Sequence, residues 1–417
     1  MRKAAARGFR HNRRERIGSR SRGAHPHRVS PPVPLPYLRL AALYFGYFVY
    51  IGAFAPYFSL YLQSIGQSAF QIGLLLSLMQ LMRIGAPHLW ASLADRHGWR
   101  ARLLQVTLAG ALAVYVGVFA TTSFLGLFLV LAGFAFFSSA TMPLLDAITL
   151  AGLRDRVERY GGIRLWGSIG FIFAVLGVGW ILDRIAIDNL LWILVVPLAV
   201  TLALTLTLRD TPTQGGRVHE PVWPLLVRRD VLVLLAANVL MNVAHGPLYA
   251  FFSIYLADAG YGKTAIGALW SLGVVAEIGV FMTAPAWMKR FAAVDILIAT
   301  FALGVVRFAL IAWAVDSPAA LVVAQVLHAA TFGSCHVASV ALICQWFPGA
   351  RQVRGQAVYL SAAFGFGGFI GALASGAAWE AIGPQWTYTA AGAAAGLGLV
   401  LLVRHAGLLR RASRSTG

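Results

Sequence analysis

Long apolar runs recur from Tyr37 to about Arg404 and constrain the fold more than any other feature of the sequence. A helix needs about 20 apolar residues to cross the hydrocarbon of a bilayer. In lipid each segment must satisfy its own backbone polar groups, and the connections are short, so each run is predicted to be a transmembrane helix. The twelve predicted helices cover 37–63, 69–93, 102–121, 124–150, 163–183, 189–208, 231–257, 264–288, 293–315, 318–346, 353–380 and 384–404.

The composition agrees with a chain that lies mostly inside a membrane. Of its 417 residues, 59% are hydrophobic and only 12% are charged. A soluble domain of this length needs a far more polar surface. We therefore predict an all-α polytopic membrane protein with twelve transmembrane helices.

The basic residues lie almost entirely on one predicted side of the membrane. The net charge of +19 would by itself also suit a nucleic-acid partner. Outside the two tails, however, the side that carries the N-terminus holds fifteen Lys and Arg residues, and the other side holds only Arg184 and Lys263. Loops rich in Lys and Arg stay in the cytoplasm. We predict a bacterial inner membrane protein with cytoplasmic termini, whose basic surface meets lipid rather than nucleic acid.

The sequence repeats itself after 194 positions. Residues 58–96 then align with residues 252–290 without a gap, and glycines and tyrosines match together. Each half holds six helices, an even number, so both halves enter the membrane from the same side and form a parallel repeat. The predicted parts are a disordered basic tail at 1–36, six-helix bundles at 37–209 and 231–404, a polar linker at 210–230 and a cytoplasmic tail at 405–417.

Polar side chains form stripes along the first, fourth, seventh and tenth predicted helices. On the seventh helix the spacings of 4, 3 and 4 place four of them on one face: Asn238, Asn242, His245 and Tyr249. The other stripes include Tyr57, Asp146, Gln325, His328 and His336. A polar stripe faces protein or a water-filled cavity rather than lipid. Helix–helix hydrogen bonding and a solute cavity both stay open as interpretations.

Three ionisable residues lie near the middle of predicted helices: Arg83, Glu277 and Arg307. Such a residue costs roughly 2.5–3.5 kcal/mol at mid-bilayer, so each should have a partner or a function. Arg83 and Glu277 occupy equivalent positions in the two halves. For Glu277 we weigh a static ion pair with Arg307 against a site that loads and releases a proton as water access alternates.

The loop ASLADRHGWRAR, after the second helix, carries a family resemblance. Asp95, Arg96, Gly98 and Arg100 match the signature of this loop in the major facilitator superfamily, which the repeat and the twelve helices also resemble. The stretches YGGIRLWGSIGF, AHGPLYAFFSIYL and QVLHAATFGSCHVASVALI resemble one branch, the phenylpropionate permease family. The resemblance implies two bundles around a cavity lined by helices 1, 4, 7 and 10, with helix 2 against helix 11 and helix 5 against helix 8.

The same resemblance implies a secondary active transporter that works by alternating access and is not an enzyme. We expect proton-coupled uptake of a small aromatic carboxylate such as 3-phenylpropionate, by a monomer that uses the proton as coupling ion and has no metal or other cofactor. One alternative is proton symport of a neutral polar solute, a nucleoside or a sugar. Another is drug efflux by proton antiport, which a fifth helix without proline disfavours.

Candidate site residues are assigned to three roles. Four of them resemble, by residue type, the proton-handling residues of lactose permeases and are assigned to proton coupling: Glu277, Arg307, His328 and His336. Substrate binding is assigned to Arg83, Tyr57, Asn238, Asn242, His245, Tyr249 and Gln325. Gating is assigned to Asp95, Arg96, Arg100 and Asp146. For Asp146, helix capping or pairing with Arg154 or Arg164 is favoured over a gate or a proton acceptor.

Overall fold

The structure is a computed structural model that describes residues 37–153, 156–210 and 223–414. Within them, eleven helical segments are apolar and long enough to cross a membrane. They are α1 (Tyr37–Ser64), α2 (Ala69–His97), α3 (Arg100–Ala120), α4 (Phe124–Leu153), α5 (Tyr160–Leu182), α6 (Ile187–Thr205), α7 (Arg229–Asp258), α8 (Lys263–Trp287), α9 (Ala293–Trp313), α10 (Pro318–Trp346) and a last segment, Gln352–Ser413. The predicted tail 1–36 and most of the predicted linker lie outside the described residues. A short helix, Trp223–Leu226, precedes α7.

The last segment consists of two helices that meet at Gly383. This residue has φ 79° and ψ 173°, a backbone conformation that glycine adopts freely and other residues do not. Pro384 follows, and its fixed φ suits the first turn of a new helix. Counting α11 (352–382) and α12 (384–414) separately confirms the twelve predicted helices. The last one runs to 414 rather than ending at 404, because Ala406 and Leu409 are buried in a core of the second bundle.

Small residues bring the two bundles into close contact along two flanks. On one flank α2 packs against α11, where a Cβ on Gly73 would lie 2.7 Å from the carbonyl oxygen of Ala372. On the other flank α5 packs against α8, where a Cβ on Gly267 would lie 2.5 Å from the carbonyl oxygen of Val175. These are the helix pairs that the family resemblance implies. Backbones approach this closely only where the side chain is a single hydrogen.

The bundles are tied together at the end that carries the α1–α2 and α7–α8 loops. Asp183, which follows α5, accepts hydrogen bonds from the backbone N–H groups of Lys263 (2.7 Å) and Thr264 (2.9 Å) at the start of α8. On the opposite flank, Glu380 of α11 accepts one from the backbone N–H of Phe70 (2.9 Å) at the start of α2. We call these two carboxylate caps the loop-end latch. Each places an acidic group of one bundle on the positive end of a helix in the other.

Candidate functional site

Glu277 of α8 meets His328 of α10 near the middle of the second bundle. Its Oε1 lies 2.8 Å from Nε2 of His328, and the two side chains are only 15% and 10% exposed. Gly273, one turn earlier on α8, makes this approach possible, because a Cβ there would lie 3.3 Å from Cδ2 of His328. A carboxyl group and an imidazole at this distance share a single proton. The structure therefore brings together two residues that the sequence assigns to proton coupling.

Arg307 of α9 is fully buried and is held by neutral partners. Its Nε donates to the carbonyl oxygen of Ala324 (2.9 Å), and its Nη1 donates to Nε2 of His245 (3.1 Å) and Oγ1 of Thr331 (3.2 Å). Among the described residues, Nη2 has no hydrogen-bond partner and Arg307 forms no ion pair. The static pair between Glu277 and Arg307, one of the two interpretations of the sequence, is therefore not formed in this conformation.

His245 connects Arg307 to α7. Its Nδ1 lies 2.8 Å from the carbonyl oxygen of Met241. A carbonyl only accepts, so Nδ1 carries the proton and Nε2 accepts the hydrogen bond from Arg307. With both nitrogens occupied beside a guanidinium, this imidazole positions Arg307. The sequence did not indicate that role, and the predicted contact of His245 with substrate stays a prediction.

Arg83 of α2 is exposed and stands apart from the other two charges. It interacts electrostatically with the phenols of Tyr47 on α1 and Tyr249 on α7, so it lies near the inner faces of both bundles. Arg83 is not enclosed as Arg307 is, because this turn of α2 is uncovered: a Cβ on Gly85 would meet no atom within 4 Å. An accessible guanidinium suits an incoming carboxylate.

A narrow cavity lies between α7, α10 and α11, next to the charged residues. Asn238 and Asn242 of α7, His336 of α10 and Tyr359 of α11 contribute to its walls. The side chains leave room in it for about one water molecule. Its small size suits water better than an organic solute.

Asn238 also joins α7 to α10. Its Oδ1 accepts a hydrogen bond from Oγ of Ser339 (3.0 Å), and its Nδ2 donates to the carbonyl oxygen of Leu234 (2.9 Å). Asn242 donates from Nδ2 to the carbonyl oxygen of Asn238 (3.0 Å). The packing interpretation of the α7 stripe therefore has support, while contact of these asparagines with a solute stays a prediction.

Two other predicted substrate residues lie away from that cavity. Tyr57 is fully buried, and its Oη donates to the carbonyl oxygen of Val175 (2.6 Å) and lies 3.2 Å from that of Lys263. In this conformation Tyr57 belongs to the contact between the bundles. Gln325 is buried against α8, where its Oε1 lies 3.4 Å from the position of a Cβ on Gly273.

Asp146 of α4 is held by two tyrosines of neighbouring helices. Its Oδ1 accepts hydrogen bonds from Tyr44 of α1 (2.5 Å) and Tyr160 of α5 (2.9 Å). The predicted pairing with Arg164 is wrong, because that guanidinium stacks on the ring of Phe48 instead, 4.4 Å from its centroid. The other predicted partner, at position 154, lies outside the described residues. Sequence reasoning missed Tyr160, since a tyrosine in the first turn of a helix gives no distinct signal.

The signature loop forms a compact turn between α2 and α3. Gly98 ends α2 with φ 70°, and Arg100 donates from Nη2 to Oδ1 of Asp95 (3.2 Å). The gating role assigned to Asp95, Arg96 and Arg100 stays a prediction.

Twelve apolar helices in two repeated bundles, with ionisable residues at mid-membrane, define a multi-pass integral membrane protein of the transporter class. No group of three or more His, Cys, Asp and Glu residues in the described ranges could hold a metal ion. The chain belongs to the major facilitator superfamily, since the model of the MFS_1 like family matches residues 37–390. Members of this superfamily are membrane transporters and not enzymes, as the sequence predicts.

Similarity to individual proteins supports this assignment. The chain is 33% identical to the probable 3-phenylpropionic acid transporter of Escherichia coli (strain K12), over 78% of this chain and 86% of that protein. It is 31% identical to the maltose permease of Geobacillus stearothermophilus, over 66% of this chain and 70% of that protein. A mutant form of the nucleoside transporter NupG has the same fold, with a TM-score of 0.79 at 18% identity, over 88% of this chain and 99% of that chain. The predicted resemblance to the phenylpropionate permeases is confirmed.

Proposed function

We propose that this protein is a proton-coupled symporter that imports a small aromatic carboxylate such as 3-phenylpropionate by alternating access. It would act as a monomer in the bacterial inner membrane, with both termini in the cytoplasm and the proton as its only coupling ion. The observation that carries the proposal is that two charged residues, Arg83 and Glu277, lie in different environments. Arg83 is exposed near the inner faces of both bundles, while Glu277 shares a proton with His328 inside the second bundle.

The substrate half of the proposal rests on Arg83. A guanidinium presents paired donors that match a carboxylate, and it keeps its charge throughout the transport cycle. Tyr47 and Tyr249 lie within its electrostatic reach on opposite bundles. The ring of Tyr249, which is only partly buried, offers apolar surface for an aromatic group near the anion. The relative from Escherichia coli, whose name refers to 3-phenylpropionic acid, supports the same substrate class.

The coupling half rests on Glu277 and its surroundings. Burial makes it expensive to ionise this carboxyl group, and a partner that shares its proton lowers that cost. Arg307 is buried nearby with one unpaired donor nitrogen, so it can stabilise the carboxylate once the proton leaves. Carrying a proton together with an organic anion leaves no net charge to move across the membrane.

The direction of access follows from two observations taken together. The loop-end latch and Tyr57 close the bundles at the end opposite the termini. The excess of Lys and Arg on the terminal side supports a cytoplasmic location for that side. We infer that this conformation faces the cytoplasm, which is the state from which an importer releases its substrate and its proton.

The proposal is tested with purified protein in proteoliposomes and labelled 3-phenylpropionate under an imposed pH gradient. Uptake should follow the gradient. The variant R83Q should weaken binding by at least roughly tenfold, because it removes a charge-assisted bidentate pair. R290Q, at an exposed arginine after α8, is the matched control and should bind normally. Uptake that ignores the pH gradient, or normal binding by R83Q, would contradict the proposal.

A second candidate is proton symport of a neutral polar solute. The side-chain amides of Asn238 and Asn242 suit hydroxyl groups, and the similarity to a maltose permease favours a sugar. The Arg83 variant separates the two candidates. An anion carrier loses substrate binding in R83Q, whereas a sugar carrier keeps it.

A further inference from the structure

We propose that the cavity between α7, α10 and α11 is a hydrated proton path that connects Glu277 with the membrane side on which the termini lie. Its ligand is water, and His336 and Tyr359 are the protein groups that pass the proton on. This inference rests on the proposed proton coupling and adds the route by which the coupled proton leaves.

A π-helical segment brings His336 onto the face of α10 that carries His328. The segment Ala329–Ser334 lies between the two histidines. In a regular α-helix, positions eight residues apart differ by about 80° around the axis. A π turn holds one residue more than an α turn. Across the π-helical segment, eight residues therefore complete about two turns, whereas seven residues do so in a regular α-helix. His336 therefore lies roughly below His328, two turns nearer the terminal side.

Glu277 is close to both histidines. It contacts His328 directly and interacts electrostatically with His336. Gly333, inside the π-helical segment, lets the backbone of α10 approach: a Cβ there would lie 3.7 Å from Cγ of Glu277. Gly333 thus brings the backbone of α10 against the side chain of Glu277. His336, three residues further along α10, lines the cavity.

The next group along the path is Tyr359 of α11. Its Oη lies 3.2 Å from Nδ1 of His336, and its side chain is buried. A neutral imidazole can take a proton at one nitrogen while it gives up another from the second nitrogen, and a phenol can accept and donate at the same oxygen. His336 and Tyr359 help to form the wall of the cavity, which mixes polar with apolar groups and has room for about one water molecule. That water can accept the proton from Oη of Tyr359.

These groups descend in order toward the terminal side. Cγ of Glu277 lies level with Gly333, three residues before His336 on α10. His336 and Tyr359 lie about 15 Å and 10 Å from the terminal-side ends of α10 and α11, at a rise of about 1.5 Å per residue. In the proposed step, the proton of Glu277 moves through water to Nε2 of His336. The proton on Nδ1 passes to Oη of Tyr359, and the phenol proton moves to the next water. Glu277 is left as a carboxylate, and every side chain beyond it regains its original proton count.

The path is tested without substrate, by infrared spectroscopy of the purified full chain in liposomes. The band of the protonated Glu277 carboxyl is assigned by its absence in E277Q, and its rate of hydrogen–deuterium exchange is followed after a change to heavy water. H336N keeps a partner for Tyr359 but cannot relay a proton, and Y359F removes the hydroxyl. Each should slow exchange by at least about tenfold, a typical loss for a missing proton-transfer group.

The matched control is Y388F, which removes another buried hydroxyl of the second bundle, the donor to the carbonyl oxygen of Pro247 (3.1 Å). It should exchange at the wild-type rate. Imidazole added to H336G should restore exchange, which a role limited to packing does not predict. A Glu277 band with unchanged exchange rates in H336N and Y359F would overturn the path alone. Absence of that band at every pH would overturn the proposed proton site and the path together.

Discussion

Three charged side chains at similar predicted depth meet three different environments. Arg307 is enclosed and satisfied mostly by neutral acceptors, Glu277 shares a proton with His328, and Arg83 is open to its surroundings. Position along a helix sets depth in the membrane, but the neighbouring helices decide whether a charge is enclosed, paired or accessible. These different environments are the reason that we propose anion binding for Arg83 and proton exchange for Glu277.

The first prediction concerns Glu277. Replacing it with glutamine preserves the size of the side chain and a hydrogen bond to His328, but removes the releasable proton. E277Q should exchange labelled 3-phenylpropionate across the membrane and yet fail to accumulate it against a gradient. Counterflow and pH-driven uptake in proteoliposomes measure the two activities separately. E158Q, at an exposed glutamate between α4 and α5, should keep both. Concentrative uptake by E277Q would rule out this carboxyl group as the coupling site.

At the scale of helices, packing depends on a few glycines whose neighbours leave no room for a methyl group. Gly246, next to His245 in α7, faces the backbone of Gly371 in α11, and a Cβ there would overlap it. By contrast, a Cβ on Gly177 of α5 would meet nothing within 4 Å. Two glycines that look alike in the sequence therefore have opposite tolerance for a side chain.

The second prediction follows from this contrast. G246A should destabilise the protein by about 1–3 kcal/mol, the usual cost of overpacking a close contact. G177A should be neutral or slightly stabilising, since alanine favours a helix. Thermal unfolding of the purified variants in detergent measures both. Equal midpoints for G246A and the wild type would show that α7 and α11 can separate at no cost.

The loop-end latch acts between helices of different bundles. Burial by itself would raise the pKa of the Asp183 carboxyl, but hydrogen bonds from Oγ1 and the backbone N–H of Thr264 and from the backbone N–H of Lys263 outweigh it and hold that pKa below its usual range. A lowered pKa means that the carboxylate cap contributes fully at and above the ordinary value of about 4 and is lost only in stronger acid. The latch is therefore charged throughout the neutral range.

The third prediction tests the latch. D183N together with E380Q should shift the protein toward opening at the loop end, because both helix N-termini lose an anionic cap. A cysteine at position 62, which is fully buried there, should react faster with a membrane-impermeant maleimide once Cys335 and Cys344 are replaced by serine. In the otherwise wild-type chain, labelling at position 62 is divided by labelling of a cysteine in an exposed loop, which removes the pH dependence of thiol reactivity. This ratio should stay constant between about pH 5 and 8 and rise below about pH 4. Unchanged labelling in the double variant would contradict the latch.

At the scale of the whole molecule, the two latch contacts follow the internal repeat. In one, the end of α5 caps the start of α8, and in the other, the end of α11 caps the start of α2. The repeat thus supplies equivalent closures on the two flanks between the bundles. Under the proposed alternating access, rocking one bundle against the other would break both closures together and make opening a single cooperative step.

The fourth prediction concerns orientation. A green fluorescent protein fused after Gly417 should fluoresce in bacteria, because it folds in the cytoplasm, and alkaline phosphatase inserted in the loop between α5 and α6 should be active, because it folds in the periplasm. The fifteen basic residues on the terminal side are the physical reason. The opposite pattern would reverse the proposed orientation and, with it, the inference that this conformation faces the cytoplasm.

The twelve helices, the repeat and the presence of Glu277, Arg307 and His328 in apolar segments can be read from the chain itself. In lipid a long apolar segment must form a helix to satisfy its backbone hydrogen bonds. A charged residue within such a segment is rare and therefore easy to identify in the sequence. The partner of each charge could not be read in this way. Tyr359 and Tyr160 carry no local signal, and the role of His245 depends on which nitrogen meets Arg307.

The sequence by itself determined that this protein crosses the membrane twelve times in two related halves, because hydropathy and periodicity act within each segment. Only the tertiary structure decided that Arg83 is open, that Arg307 is held by His245 and Thr331, and that Glu277 shares its proton with His328. Those outcomes depend on how far apart distant helices pack and which faces they turn to each other. No local pattern of residues encodes them.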